Sequence, residues 1–293
     1  MNKPHRNTIC VEDAIVADHT PHPDEQFVLR LTAPKVAARA VPGGFVHVQC
    51  ASDIPMRRPL SIMRVDADAG WVEVLYKIIG PGLRALAQVQ TGDTVSVIGP
   101  IGNGFSADPQ RKTAVLIGGG VGIPPLVFLA ERIAAGDWPD ARAVAFFGSE
   151  LPFPFELVVS EYPLDGIPDK TNRSIELLEN IHVPCRLATN AGYDGCYDGY
   201  VTDLARQWLS ELTNEQRDQV MIYSCGPEPM LEAVSKLANQ FDLPSQLCLE
   251  EFMACAVGGC AGCAVEVTTP DGVAMKRVCV DGPVFSGASI YAG

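Results

Sequence analysis

The chain has 293 residues, of which 47% are hydrophobic and 19% are charged, and this composition excludes wholesale disorder. At about 150 residues per domain, the length predicts roughly two sizeable domains. The net charge of −13 disfavours binding to nucleic-acid phosphates and to anionic membrane surfaces, so we expect neither partner. Residues 1–8 are polar and lack the apolar stretch of a secretory signal, so we expect a cytoplasmic protein.

The first 105 or so residues predict an antiparallel β-barrel. Several short runs of strand-forming residues are separated by turns rich in glycine, proline and aspartate, a spacing typical of small barrels. The predicted strands are residues 26–31, 45–49, 60–64, 71–78 and 94–98. One short helix is expected at residues 83–89.

From about residue 112 the pattern changes to alternating strands and helices, which predicts an α/β domain with a parallel sheet covered on both faces. The predicted strands are residues 113–117, 143–147, 185–188 and 220–224, and the predicted helices are residues 125–134, 201–212 and 229–240. Prolines and glycines interrupt any helical pattern in residues 150–183, where we expect an irregular insertion. The residues from 250 onward form a third unit with a hairpin at 264–279.

Four cysteines in this third unit indicate an iron–sulfur site. The spacing Cys255-x4-Cys260-x2-Cys263, with Cys279 farther on, is that of plant-type [2Fe–2S] proteins. The intervening residues are mostly glycine and alanine, which let a loop curl so that its N–H groups face the cluster. Zinc is the main alternative, but structural zinc sites usually take two C-x2-C pairs and only one is present. Four buried free thiols would not need this spacing.

Two glycine-containing turns each follow a predicted strand and precede a predicted helix, a position that favours binding of a pyrophosphate. The first lacks the G-x-G-x-x-G spacing, so by itself it is equally compatible with a plain tight turn. In a parallel sheet both turns would lie at the carboxyl edge, where open α/β folds bind ligands. The candidate residues are Gly118, Gly119, Gly120 and Gly122 in the first turn, and Cys225, Gly226, Pro227 and Met230 in the second.

The pair Arg57 and Arg58 precedes a predicted strand. Such a pair is most often a solvated edge. The alternative is that one guanidinium and Ser61 bind a cofactor phosphate. The glycine turn at residues 80–82 is a second candidate phosphate site, and residues 99–105 read as an interdomain turn.

In this order, these motifs resemble the ferredoxin–NADP reductase superfamily and, more narrowly, the electron-transfer subunits of two-subunit, NAD-dependent dihydroorotate dehydrogenases. The resemblance covers nearly the whole chain and is most specific at residues 57–62, 99–105, 225–230 and 277–285. It implies a multi-domain architecture: an antiparallel FAD-binding β-barrel at 1–108, an NAD-binding α/β domain at 109–248 and a [2Fe–2S] domain at 249–293.

The resemblance also implies individual roles. Arg58 would hold the FAD pyrophosphate, and Leu60 replaces the tyrosine that is usual in the superfamily. The two glycine turns would bind NAD, since no arginine cluster suited to a 2′-phosphate is present. Cys255, Cys260, Cys263 and Cys279 would hold the cluster. The residues implied for FAD are Arg58, Pro59, Leu60, Ser61, Tyr76, Lys77, Ile78, Gly82 and Leu83.

By the same resemblance, dihydroorotate is oxidised to orotate at FMN in a partner chain, and electrons pass through the cluster and FAD to NAD. This implies a role in pyrimidine biosynthesis, a heterotetramer of two copies of each chain, and no substrate-oxidising residue in this chain. Apolar residues near the cluster are expected to contact the partner: Phe252, Val257, Val284 and Phe285.

Two other functions stay open at this point. By its order of domains, the chain also resembles subunits of hydrogenases, sulfide dehydrogenases and ferredoxin:NADP transhydrogenases. A zinc-dependent interaction subunit without redox activity is the alternative from a different class.

Overall fold

The computed structural model describes residues 9–291, so the predicted domain ends at 1–8 and 292–293 lie outside the described residues. Its two main units are a closed six-stranded antiparallel barrel and a seven-stranded mixed sheet, followed by a small hairpin unit that carries the cysteines. These units confirm the predicted fold class. Within the described residues, every helix is too short or too polar to cross a membrane.

The barrel closes in the strand order β1-β2-β5-β4-β3-β6. Alternate side chains such as Leu29, Leu31, Val72 and Val74 are fully buried inside it, as period-two strands require. Its elements are β1 (Cys10–His22), β2 (Gln26–Thr32), α1 (Pro34–Ala37), β3 (Phe45–Val48), β4 (Arg58–Asp66), β5 (Trp71–Lys77), α2 (Gly80–Leu86) and β6 (Thr94–Ile101). The helix α2 therefore begins three residues before the predicted one.

The mixed sheet has the order β12-β11-β8-β7-β13-β14-β17, where β17 is Val284–Ser286 from the third unit. Every pairing in it except β14 with β17 is parallel. All residues of β7 and β13 are buried because helices cover both faces of the sheet. Its strands are β7 (Thr113–Gly119), β8 (Arg142–Gly148), β11 (Cys185–Thr189), β12 (Tyr197–Asp198), β13 (Val220–Cys225) and β14 (Ser245–Cys248). Its helices are α3 (Pro124–Ala134), α5 (Val201–Glu211), α6 (Asn214–Arg217) and α7 (Glu228–Gln240).

Residues 150–183 are more regular than the expected insertion. They contain an antiparallel hairpin of β9 (Leu157–Val159) and β10 (Arg173–Ile175), followed by α4 (Glu176–Asn180). The prediction of a wholly irregular segment was wrong because strands of three residues are too short to leave a periodic pattern. The loop at 160–172 connects the two strands of this hairpin.

The third unit consists of the predicted hairpin, formed by β15 (Ala264–Thr269) and β16 (Gly272–Arg277), and of β17 (Val284–Ser286) and α8 (Gly287–Ile290). The strand β17 pairs with β14 and so extends the mixed sheet by one antiparallel edge strand. Asn103, just after the barrel, donates through its side-chain amide to the carbonyl oxygens of Val280 and Asp281. The third unit is thus attached to both of the larger units.

Charged side chains join the barrel to the helix α3. The Arg64 guanidinium lies 2.7 Å from a carboxylate oxygen of Glu131 and 3.6 Å from one of Glu73. Glu73 is nearly buried and also pairs with Arg30 at 2.8 Å. Such a partly buried network orients the two units more strongly than isolated surface ion pairs would.

Candidate functional site

The four predicted cluster cysteines come together as two pairs. The sulfurs of Cys263 and Cys279 lie 3.4 Å apart, and both residues are buried. Cys255 and Cys260 form the second pair, in which the backbone N–H of Cys260 lies 3.4 Å from the sulfur of Cys255. Within residues 9–291, no three His, Cys, Asp or Glu side chains surround a single point as one metal ion would require. Two thiol pairs fit a binuclear cluster, in which each iron takes two protein sulfurs.

Backbone N–H groups of the loop point at these sulfurs. The N–H groups of Gly259 and Cys260 donate to the sulfur of Cys255 at 3.3 and 3.4 Å, and that of Gly262 donates to the sulfur of Cys260 at 3.4 Å. Burial raises the pKa of Cys255, but the N–H groups of Val257, Cys260 and Gly259, with the Cys260 thiol, outweigh burial and lower the pKa to about 7. The loop therefore favours the thiolate form that metal binding needs.

The loop is held in this shape from outside. Arg277 donates to the carbonyl oxygen of Gly258 at 2.7 Å, and Gly258 has a φ of +82°, which a residue with a side chain rarely adopts. The inner side of the loop packs on Phe45 and Ile101 of the barrel. One thiol pair thus faces the protein, while Cys260 is exposed at the surface.

Two exposed apolar side chains lie close in sequence to the outer thiol pair. Phe252 is 95% exposed and Val257 is 51% exposed. The two other residues predicted to contact a partner, Val284 and Phe285, lie in β17 and are half-buried. The exposed apolar surface of this segment is therefore formed mainly by Phe252 and Val257.

The two arginines of the 57–62 segment have different environments. The Arg57 guanidinium donates to the carbonyl and hydroxyl oxygens of Ser96 at 2.7 and 2.9 Å, so it belongs to the barrel framework. Among the described residues, the Arg58 guanidinium donates only to the nearby carbonyl oxygens of Met56 and Arg57. It also lies against Gly82, where a Cβ atom would come within 2.7 Å of it. Arg58 therefore keeps donors available for a phosphate, which fits the pyrophosphate of FAD.

The other predicted FAD residues flank this position on β4, on β5 and at α2. Ser61 is half-buried on β4, and Leu83 is buried on α2. The side chain of Tyr76 is buried instead among barrel residues, where its hydroxyl lies 2.8 Å from His19 and its ring stacks on Phe27. Burial raises the pKa of this hydroxyl. Tyr76 can thus reach a cofactor only through its backbone.

The two predicted glycine turns lie side by side at the carboxyl edge of the sheet. Gly118 pairs in register with Cys225 on the adjacent strand. A Cβ atom on Gly122 would come within 2.5 Å of the backbone of Cys225 and Gly226, so the turns can touch only because residue 122 is glycine. Gly120 has a φ of +54° and open space before it. This cradle fits a dinucleotide, whose pyrophosphate needs close approach to backbone N–H groups.

Sequence analysis did not single out the groups around the Cys225 thiol. Cys225 lies beside Cys248 on the parallel strand β14, and its sulfur is 4.0 Å from a carboxylate oxygen of Glu250. The Cys248 thiol and burial raise the pKa of Cys225, so it is a neutral thiol. The only sequence signal that could have indicated a carboxylate near Cys225 was that Glu250 and Glu251 adjoin the cysteine-rich segment.

Solved structures share this arrangement of barrel and sheet. A structure of the NADH-dependent reduced ferredoxin-NADP oxidoreductase, solved in a study of flavin-based electron bifurcation, aligns with a TM-score of 0.75 at 23% identity, over 95% of this chain and 90% of that one. The ferredoxin reductase of carbazole 1,9a-dioxygenase aligns with a TM-score of 0.61 at 18% identity, over 80% and 67%. The chain therefore has the barrel-and-sheet fold of these two reductases.

Relatives in sequence identify the family to which the chain belongs. Residues 250–291 match the iron-sulfur cluster binding domain of dihydroorotate dehydrogenase B. The dihydroorotate dehydrogenase B (NAD(+)) electron transfer subunits of Bacillus caldolyticus and Listeria monocytogenes are 36% and 34% identical, over 91% and 92% of this chain and 93% and 94% of theirs. That of Desulforamulus reducens is 30% identical over 88% of this chain and 90% of its own. The chain belongs to this family of electron transfer subunits.

Proposed function

We propose that this chain passes electrons between NAD and a catalytic partner subunit that oxidises dihydroorotate to orotate in pyrimidine biosynthesis. The observation that carries the proposal is that one chain of this family has three features together. They are two glycine turns in contact at the carboxyl edge of the sheet, a barrel arginine with N–H donors available for a phosphate, and two pairs of cysteine thiols. Its cofactors are FAD, a [2Fe–2S] cluster and NAD. No residue of this chain is assigned to dihydroorotate oxidation.

The barrel, residues 1–108 in our division, supplies the FAD residues. When bound, FAD can exchange a hydride with NAD and single electrons with an iron–sulfur cluster. Arg58 would neutralise the pyrophosphate, and the missing Cβ of Gly82 leaves room for its guanidinium. The further residues proposed to contact FAD are Pro59, Leu60, Ser61, the backbone of Tyr76, Lys77, Ile78 and Leu83.

The α/β unit, residues 109–248, supplies the NAD residues. Backbone N–H groups of the two turns would hold the pyrophosphate, and the Cys225 thiol in the second turn would be neutral. We propose NAD rather than NADP. The residues proposed for this site are Gly118, Gly119, Gly120, Gly122, Cys225, Gly226, Pro227 and Met230.

The C-terminal unit, residues 249–293, supplies the four cluster ligands: Cys255, Cys260, Cys263 and Cys279. We propose that electrons enter or leave at the outer pair, because Cys260 is exposed and the exposed side chains of Phe252 and Val257 belong to the same segment of the chain. This apolar surface would dock the FMN-containing partner, which excludes water from the contact. We further propose a heterotetramer of two copies of each chain, located in the cytoplasm.

The test is to separate the two halves of the electron path in the complex with its partner. In the Cys279→Ser variant we expect intact FAD content and intact reduction of FAD by NADH, because residue 279 is a proposed cluster ligand and belongs to neither glycine turn. Reduction of NAD+ by dihydroorotate should be lost together with the cluster absorbance. Cys10→Ser, a partly buried thiol outside the loop, is the matched control and should keep both activities. Dihydroorotate-driven reduction of NAD+ by Cys279→Ser at the control's rate would refute the proposed path.

A further inference from the structure

The carboxyl ends of three neighbouring parallel strands form one row beside the first glycine turn. Gly119, at the end of β7, pairs with Gly148 at the end of β8, and Gly148 pairs in turn with Ala188 of β11. Adjacent strands lie about 4.8 Å apart. A ribose that is bonded directly to a pyrophosphate at the first glycine turn can therefore reach the residues that follow β8 and β11.

The adenosine half of NAD is the half expected on this side of the turn. On the other side lies β13, where the Cys225 sulfur is 4.0 Å from Glu250 at the start of the third unit. The third unit also joins the sheet on that side, through β17. Because electrons pass between NAD and the cluster of the third unit, the nicotinamide belongs beside Cys225. The adenosine ribose then lies over the ends of β8 and β11, an assignment that rests on the proposed function.

A carboxylate and an amide follow these two strands and contact each other. Glu150 lies two residues after β8 and Asn190 directly after β11, and both are exposed. The Asn190 side-chain amide donates to Glu150 Oε1 at 2.9 Å. Among the described residues, no group donates to Glu150 Oε2 and no cation pairs with the carboxylate. This oxygen can therefore accept a hydrogen bond from a ligand hydroxyl.

The loop that carries Glu150 is fixed to β11 independently of this amide. The Ser149 N–H donates to the carbonyl oxygen of Ala188 at 3.1 Å. The hydroxyl of Tyr193, whose ring packs on the core, donates to the carbonyl oxygen of Glu150 at 3.4 Å. The backbone of Glu150 is thus in place before a ligand arrives, and Asn190 fixes the side chain, which lowers the cost of ordering the contact.

The charge around this pair disfavours a phosphate. Residues 190–199 contain Asp194 and Asp198 and no lysine or arginine. The Arg173 side chain packs on Gly195 of this segment, next to Asp194. A 2′-phosphate would bring up to about two further negative charges, and sites that accept one usually supply an arginine for it.

We propose that Glu150 is the residue that selects NAD over NADP. Its Oε2 accepts a hydrogen bond from the 2′-hydroxyl of the adenosine ribose, and its charge repels the phosphate that NADP carries at the same position. Asn190 is the positioning residue that holds the carboxylate in the required orientation. Selectivity then comes from one attractive and one repulsive contact of a single side chain.

The test uses ADP-ribose and 2′-phospho-ADP-ribose, which contain the adenosine half without the nicotinamide. Each is titrated calorimetrically into the full chain loaded with FAD and the cluster. We expect the wild type to bind ADP-ribose at least about tenfold more tightly than its 2′-phosphate, as one lost hydrogen bond and one repulsion predict. The rates at which NADH and NADPH reduce FAD should differ in the same direction.

Glu150→Gln keeps the size of the side chain and removes its charge. It should weaken the binding of ADP-ribose by about threefold to tenfold and tighten that of 2′-phospho-ADP-ribose by a similar factor. Asn190→Ala should lower the same ratio by a smaller factor, because the carboxylate remains but loses its orientation.

Glu161→Gln is the matched control, since it removes an exposed carboxylate by the same substitution. Glu161 adjoins Tyr162, whose carbonyl oxygen accepts from Arg186 at the amino end of β11, so this residue lies at the opposite edge of the sheet. The control should change neither affinity.

The outcomes separate this role of Glu150 from the NAD site itself. If Glu150→Gln binds ADP-ribose and its 2′-phosphate with the wild-type ratio, the role of Glu150 is refuted while the NAD site stands. Equal weakening of both ligands would likewise refute the selection at the 2′ position. If the wild type binds neither ligand and neither NADH nor NADPH reduces FAD, the proposed nucleotide site fails, and the role of Glu150 fails with it.

Discussion

Contact between the two glycine turns leads to a prediction for Gly122→Ala. The added Cβ would lie 2.5 Å from the carbonyl carbon and oxygen of Cys225, about 0.9 Å short of the 3.4 Å at which ordinary contact begins. Because these are backbone atoms, the turns must separate, which costs about 1–3 kcal/mol. If this free energy is lost from NAD binding because the two glycine turns are displaced, the affinity for NAD drops by about fivefold to hundredfold. A shift of this size also slows hydride transfer, since rates depend steeply on alignment.

The assay is reduction of FAD by NADH, followed anaerobically by the loss of flavin absorbance across a range of NADH concentrations. Gly136→Ala is the control: Gly136 lies just after α3, has a φ of +86° and has open space at its Cβ position. An alanine in this left-handed conformation should cost about 1–2 kcal/mol of stability, and it should leave the affinity for NADH and the rate of FAD reduction unchanged. Gly122→Ala with wild-type affinity and rate would refute the assignment of NAD to these turns.

Three further predictions concern the other sites. Arg58→Ala should weaken FAD binding by about tenfold to hundredfold through loss of a charge-assisted contact, whereas Arg57→Ala should mainly lower Tm. Equal FAD affinities of the two variants, measured by fluorescence, would contradict the assignment of Arg58 to the FAD pyrophosphate. Val257→Glu should weaken assembly with the partner, measured by sedimentation, while NADH still reduces FAD at the normal rate; loss of both together would contradict this prediction. Burial lowers the pKa of His47 to about 4 from an unfolded value of about 6.5, so stability should fall as pH drops through this window, by about 2 kcal/mol at pH 5. In urea unfolding at pH 7 and pH 5, His47→Gln should lose less stability than the wild type, and equal losses would refute the role of His47.

The parts of the fold that local chemistry determines could be predicted from sequence. The spacing of Cys255, Cys260 and Cys263 and the glycines between them already specify a tight loop. Strand-to-helix turns at Gly118 and Cys225 had to meet once the sheet was parallel. The buried strands β7 and β13 were found because strands covered on both faces are apolar throughout.

Elements that depend on distant residues were missed. The first barrel strand escaped prediction because Glu12 points inward, where its carboxylate accepts from the N–H groups of Lys35 and Val36, while Val11 and Ile15 are exposed. These three residues break the alternation of hydrophobic and polar residues, although Ala14 and Val16 are buried as a barrel strand requires. The pairing of β14 with β17 joins Leu247 to Phe285, and no local pattern encodes such a contact.

The most direct measurement is to isolate the chain with its bound partner from its source cells and to add dihydroorotate without oxygen. We expect an FMN-containing partner, bleaching of the flavins, reduction of the cluster and then formation of NADH when NAD+ is supplied. If NADH still reduces FAD in that complex but dihydroorotate reduces neither the cluster nor NAD+, the proposed electron path is wrong.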